Sequence, residues 1–163
     1  MIEDNERRGQ GWLWGPVALS LFGIFVSGYL SAKRLTGGSL ACSRWAQCDT
    51  VNNSVYAKIY GVPVAFIGLA GYLVLLGLAV AALQTWGPTH RRLLTISFIL
   101  ALGGVGFSAY LTYLELFVIE AICVWCVASA IVILLLAIVG GMNLWRASPQ
   151  RLDTSATASL LRP

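Results

Sequence analysis

"LLTISFILALGGVGFSAYLTYLELFVIEAICVWCVASAIVILLLAIVGGMNLW", residues 93 to 145, is an almost unbroken apolar run. A helix needs about 20 such residues to cross a bilayer, and this run is about twice that length, so it folds back once. Glu115 and Glu120 are its only acids. The turn belongs between them, which predicts spans near 93–115 and 120–144.

Working outward, a stretch from about Val62 to Leu83 forms another span, with Pro63 near its first helical turn, a position proline favours. The first span runs from Trp12 to about Ala32 and carries Pro16 in its first turn, where a missing N–H costs little. It is too long for a signal-peptide core and lacks a small-x-small cleavage site, so it reads as retained. Of the 163 residues, 58% are hydrophobic and 11% charged, against about 25% charged in soluble domains. The sequence therefore predicts an all-α integral membrane protein, a bundle of four transmembrane helices over residues 12–145.

Residues 1–11 are polar and expected to be loose, and residues 146–163 form a Ser/Thr/Ala tail expected to be disordered. Residues 33–60 are the one long polar connection, with AKIYG (57–61) starting a short helix or lying along the interface. Gly103, Gly104 and Gly106 in the third span are placed for close helix approach. Four spans leave both termini on one side. That side carries Arg7, Arg8, Arg91, Arg92, Arg146, Arg151 and Arg162, against Lys33, Arg34, Arg44 and Lys58 on the other. Seven against four puts the termini in the cytoplasm and the long loop outside. The net charge of +4 belongs to this topology, because the basic residues are scattered and form no nucleic-acid stripe.

With this orientation both cysteine pairs face the outer side, where disulfides persist. Cys42 and Cys48 lie in the long loop; Cys123 and Cys126 open the fourth span. Positions i and i+3 share a helix face, and the first turn of a helix stabilises a thiolate. A redox-active dithiol placed there meets both a water-borne partner and a carrier dissolved in lipid. On the residues alone, three other readings stay open: simple packing, structural disulfides, and four thiolates around a metal. A transporter finds little support, because no span carries a charge at its centre.

The arrangement resembles the vitamin K epoxide reductase family, in its bacterial branch. The resemblance is carried by Cys42 and Cys48, by "CDTVNNSVYAKIYGVPVAFIG" (48–68) with Ser54 and Gly61-Val62-Pro63, and by "CVWC" (123–126). It covers roughly residues 12–145. It implies a four-helix bundle around a quinone, menaquinone or ubiquinone, capped by the loop. It also implies a disulfide-generating enzyme in the inner (plasma) membrane that oxidises a separate extracytoplasmic, thioredoxin-like (DsbA-like) protein. By the family pattern, Cys42 faces the partner, Cys48 exchanges with Cys123, and Cys126 lies against the quinone. Ser54 matches a hydroxyl position near the quinone pocket. Animal members carry an Asn just before the second span and a Tyr one turn after the second C-x-x-C cysteine, where this chain has Ala57 and Ala130, which leaves quinone reduction rather than epoxide chemistry as the expectation. Trp45 and Trp125 are expected to wall the quinone pocket or anchor at the interface. Glu115 and Glu120 are expected as solvated helix ends, and His90 as a loop charge. No motif implies a metal.

Overall fold

The computed structural model describes the backbone of residues 2–42 and 47–147, with side chains from Trp14 onward. Arg44, Trp45, Arg151, Arg162 and the rest of the expected tail from residue 148 lie outside the described residues. The chain is an integral membrane bundle of four long helices: α1 (Ile2–Thr36), α3 (Val64–Gln84), α4 (Pro88–Leu114) and α5 (Val124–Ala147). A short helix, α2 (Cys48–Asn53), lies in the connection after α1. All four long helices have spans apolar enough to cross a bilayer. In hydrocarbon every backbone N–H and C=O must be paired within the segment, which helices do.

α1 packs on α3 and on α5, and α4 packs on the same two. The helices therefore stand in the cyclic order α1–α3–α4–α5. Exposed Phe22, Phe25, Leu73, Val74, Ile99 and Leu134 give the bundle its apolar outer surface. Association in lipid rests on close packing rather than on water exclusion, and a row of small residues on α1 supplies it. Ser20, Ser27 and Ser31 are buried, and Gly23 falls in the same row. A methyl group on Gly23 would collide with the ring of Tyr72 of α3, and one on Gly68 would meet Ser27 Oγ at 3.5 Å. Of the three glycines flagged in α4, only Gly104 touches a neighbour, Ile133 of α5; Gly103 and Gly106 face open space.

Several boundaries differ from the sequence expectation. α1 begins at Ile2, so the segment expected to be loose has helical backbone; extending a formed helix is far easier than starting one. Pro63 sits one residue before α3, at its N-cap, rather than in its first turn. The AKIYG stretch does not start a helix; beyond Ala57 it is a hairpin. After a 3-10 turn at Val55–Ala57, strands β1 (Lys58–Ile59) and β2 (Val62–Pro63) pair antiparallel. Tyr60 (φ 50) and Gly61 (φ 84) make the two-residue turn between them, both with the positive φ that tight hairpins need.

The fold-back between α4 and α5 falls between the two acids as expected. Its form is a π turn over Glu115–Ile119, ended by Glu120 in the left-handed region at φ 52. Exposed Glu120 agrees with a solvated helix end, whereas Glu115 is only 5% exposed. His90 is not a loop charge: it lies in the first turns of α4, and its Nδ1 is 2.9 Å from Ala82 O at the end of α3.

Candidate functional site

The end of α1, the start of α3, the π turn and the start of α5 meet beneath the loop in one buried cluster. It is built on Val26, Leu30, Cys48, Ala121 and Cys123, with Cys42 and Cys126 packed against it. All four cysteines thus come to one end of the bundle. Cys42 and Cys48 are joined as a disulfide with Cα atoms 6.3 Å apart. Cys42 is half-buried, whereas Cys48 is 1% exposed and Cys123 fully buried.

The loop is fixed by bonds from α2 and from the end of α1. Asp49 Oδ1 accepts the N–H of Leu40 at 2.8 Å, and Tyr29 Oη accepts that of Ala41 at 3.0 Å. Arg34 donates to Asn52 O and Asn53 Oδ1 at the end of α2. Two further bonds set the loop pair against the C-x-x-C. The residue before Cys48 donates to the residue before Cys123, Gln47 N to Ile122 O at 3.0 Å. The residue before Cys42 accepts from Trp125 Nε1, also at 3.0 Å.

Cys123 occupies the N-cap of α5. Its carbonyl accepts the first helical bond, from Val127 N, and its sulfur accepts the N–H of Cys126 at 3.3 Å, the contact an N-cap oxygen usually makes. Cys126 Sγ donates to Cys123 Sγ at 2.7 Å. That bond holds the Cys123 thiol below its ordinary range. Burial opposes the shift, the backbone N–H of Cys126 supports it, and the Glu115 carboxylate opposes it. A thiol so placed is ionised where ordinary cysteines are not, which is the condition for exchange chemistry.

Behind the pair, between the four long helices, lies a cavity of about 520 Å³. Its wall is mostly apolar, with polar side chains from all four long helices and from Asn52, Ser54 and Tyr56. Ser54, Glu115 and Cys126 stand near the cysteine end, and Tyr72 with Ser129 further in. Tyr72 Oη contacts Ser129 O and Ser129 Oγ, each at 2.9 Å. Ser54 Oγ donates to Val51 O at 2.8 Å, closing the end of α2. Cys126 alone of the four cysteines lines this cavity.

Trp125 is not among the described residues of the cavity wall. Its indole packs on Tyr29 with ring centres 4.8 Å apart and bonds to the loop. It clamps the cap instead of walling the pocket, because a side chain next to Cys126 on a helix points to a different face. Glu115 is the residue that sequence reasoning missed. Its Oε2 accepts the N–H of Cys123 at 3.3 Å, and its carbonyl accepts that of Ala121 at 3.1 Å. No local signal separates it from Glu120, since each acid sits between two apolar residues inside the run.

The family model described as the vitamin K epoxide reductase family matches residues 14–140. The match takes in both cysteine pairs, the cavity-lining Ser54 and Glu115, and most of each spanning helix.

Proposed function

Because the chain belongs to the vitamin K epoxide reductase family, and is thus a membrane thiol oxidoreductase, we propose that it makes disulfides for a separate thioredoxin-like protein and sends the electrons to a membrane quinone. Cys42, the more exposed sulfur of the loop pair, meets the partner's dithiol. Cys48, buried in the same cluster as Cys123, passes the electrons inward. Its thiolate attacks Cys123 of the oxidised C-x-x-C, Cys126 leaves as a thiolate facing the cavity, and re-closure of Cys42–Cys48 releases Cys123. Each exchange among the sulfurs is thiolate attack on a disulfide, and the depressed Cys123 thiol is a good leaving group in the last of them.

The cavity fits a quinone, menaquinone or ubiquinone. It lies within the size range of small-molecule sites, its walls are apolar, and it is set among helices that a lipid-soluble ligand can approach from the bilayer. A bound quinone supplies an acceptor for two electrons and two protons. Val64, Ala65, Leu111 and Ile119 would hold its apolar parts, and the hydroxyl of Ser54 would orient a polar edge.

The single observation that carries this reading is the position of Cys126: it is bonded to Cys123 on one side and forms cavity wall on the other. The basic-residue count supports cytoplasmic termini and an extracytoplasmic cysteine end in the inner (plasma) membrane, where the partner's disulfide would persist. A metal site is less well supported, because Cys42 and Cys48 are bonded to each other and are not free thiolates. The test is reduction of menaquinone and ubiquinone analogues by purified protein in detergent, driven by a dithiol. Wild type should reduce at least one analogue, and Cys126→Ser should lose about 100-fold or more of that rate. If wild type reduces neither, the quinone reading fails and the cysteines are structural.

A further inference from the structure

We infer that Glu115 is the group that moves protons between the Cys123–Cys126 pair and the cavity. Three observations bring this acid to the step. Its carboxylate is bonded to the N–H of Cys123, it lines the cavity together with Cys126, and it is 5% exposed at the end of a membrane span. Among the described residues no Lys, Arg or His is bonded to it. A clamp on the Cys123 N–H needs only a neutral acceptor, such as a carbonyl or a hydroxyl. Burying a carboxyl group without a counter-charge carries a desolvation penalty that a clamp does not require. A buried acid in a membrane segment is a functional-site candidate by default, and proton relays are among its uses.

The inference rests on reading the cavity as a quinone site, and it assigns the protons of that reaction. In the reduced pair the Cys126 thiol donates to the Cys123 sulfur, which is the thiolate. Closing the Cys123–Cys126 disulfide releases two electrons and the Cys126 proton. Both electrons go to the quinone, together with two protons, the one from Cys126 and one from the aqueous side. Glu115 carries each in turn, as carboxylate when it receives and as carboxylic acid when it delivers. It returns to its starting state as quinol leaves.

Two measurements test this. The first needs no quinone: infrared difference spectra of the purified protein, stepped between reduced and oxidised C-x-x-C. A protonated-carboxyl C=O band should change with the redox step, vanish in Glu115→Gln and move in Glu115→Asp. The second is single-turnover oxidation of the pre-reduced protein by a quinone analogue. Glu115→Gln keeps an acceptor for the Cys123 N–H but carries no proton, so it should slow this step about 100-fold. Glu115→Asp should recover part of the loss, and exchange at the loop pair should run near the wild-type rate in both variants. No redox-linked carboxyl band, or a band that survives in Glu115→Gln, overturns the inference. So does wild-type oxidation of Glu115→Gln, or equal slowing of loop exchange and quinone reduction, which marks a clamp. If Glu115→Gln does not fold, Glu115→Asp decides through the shift of the band. A wild type that no quinone oxidises refutes the quinone reading instead, and the infrared result still decides for Glu115.

Discussion

The indole N–H of Trp125 donates to the carbonyl oxygen of Ala41 at 3.0 Å, joining residues 84 apart in sequence. Ala41 precedes the first loop cysteine, and Trp125 lies between the two cysteines of α5. With the backbone bond from Gln47 to Ile122, it fixes the register of the loop pair over the C-x-x-C. Two hydrogen bonds thus hold the loop pair over the C-x-x-C without engaging any of the sulfurs.

Replacing Trp125 with Phe keeps the contact with Tyr29 and removes the bond to Ala41. A hydrogen bond of this kind contributes about 1 kcal/mol. The bundle should therefore stay folded, with a midpoint close to wild type. The loop should open more often, so a small dithiol should reduce Cys42–Cys48 faster while transfer onward to Cys123 slows. Stopped-flow thiol trapping separates the two rates. Equal slowing of both would mean that the indole acts on the cavity and not on the cap.

Burial orders the sulfurs: Cys42 is half-buried, and Cys48 and Cys123 share the sealed cluster. The double variant Cys42→Ser, Cys126→Ser leaves only that inner couple, and it should collect as a Cys48–Cys123 disulfide under mild oxidation. The converse variant, Cys48→Ser with Cys123→Ser, should keep Cys42 and Cys126 largely as free thiols. Peptide mapping under non-reducing conditions reads both. Ready formation of Cys42–Cys126 would reverse the order of transfer.

The Cys123 thiol is depressed first by its bond from Cys126, and this sets a pH dependence. A group whose folded value lies below its unfolded value binds fewer protons in the folded state, so it adds stability as pH rises. In reduced protein that contribution is complete above the ordinary thiol range, about 8.5, and is lost as pH falls through the lowered folded value. Cys126→Ala removes the main cause, so the Cys123 titration should move up and the rise of stability with pH should flatten. Thiolate absorbance and thermal unfolding of the reduced protein, followed across the same pH series, measure the two effects. An unchanged titration in Cys126→Ala would show that the α5 N-terminus, and not the partner sulfur, holds the charge.

The four spans and the gathering of both cysteine pairs at one end were legible, because hydrophobic length and the count of crossings are properties of composition. The side on which Trp125 falls was not, since its partners are Tyr29, on another helix, and Ala41, in a loop whose path no local pattern fixes. The burial of Glu115 was hidden for a similar reason. An acid at a span's end reads as solvated, and only the return of residues 120–123 over the π turn covers it. The hairpin at Tyr60–Gly61 had a usable signal, a two-residue turn ending in Gly between Lys-Ile and Val-Pro. The small-residue row on α1 was also present in the sequence, at helical spacing. Hydropathy averages conceal such a row, because Ser and Gly lower the mean while improving the packing.

Glycines of α1 and α4 differ sharply in what a side chain would meet. A methyl group on Gly104 would lie 2.8 Å from Ile133 Cγ1, and one on Gly23 would enter the Tyr72 ring, whereas one on Gly103 would meet nothing within 4 Å. All three are helical glycines, so replacement with Ala gains about 1 kcal/mol of helix propensity at each. Where the neighbour cannot move, overpacking reverses the sign by about 1–3 kcal/mol. Gly103→Ala should therefore unfold at or above the wild-type temperature in detergent. Gly104→Ala should unfold lower, and trimming the neighbour with Ile133→Val or Ile133→Ala should restore part of the loss. Gly23→Ala should be the most damaging, because Tyr72 is held in place by Ser129 and its ring forms cavity wall. Displacing that ring should also weaken binding of a quinone analogue, an effect Gly104→Ala should show less. If Gly23→Ala unfolded at the same temperature as Gly103→Ala, close packing at Gly23 would not be what joins α1 to α3.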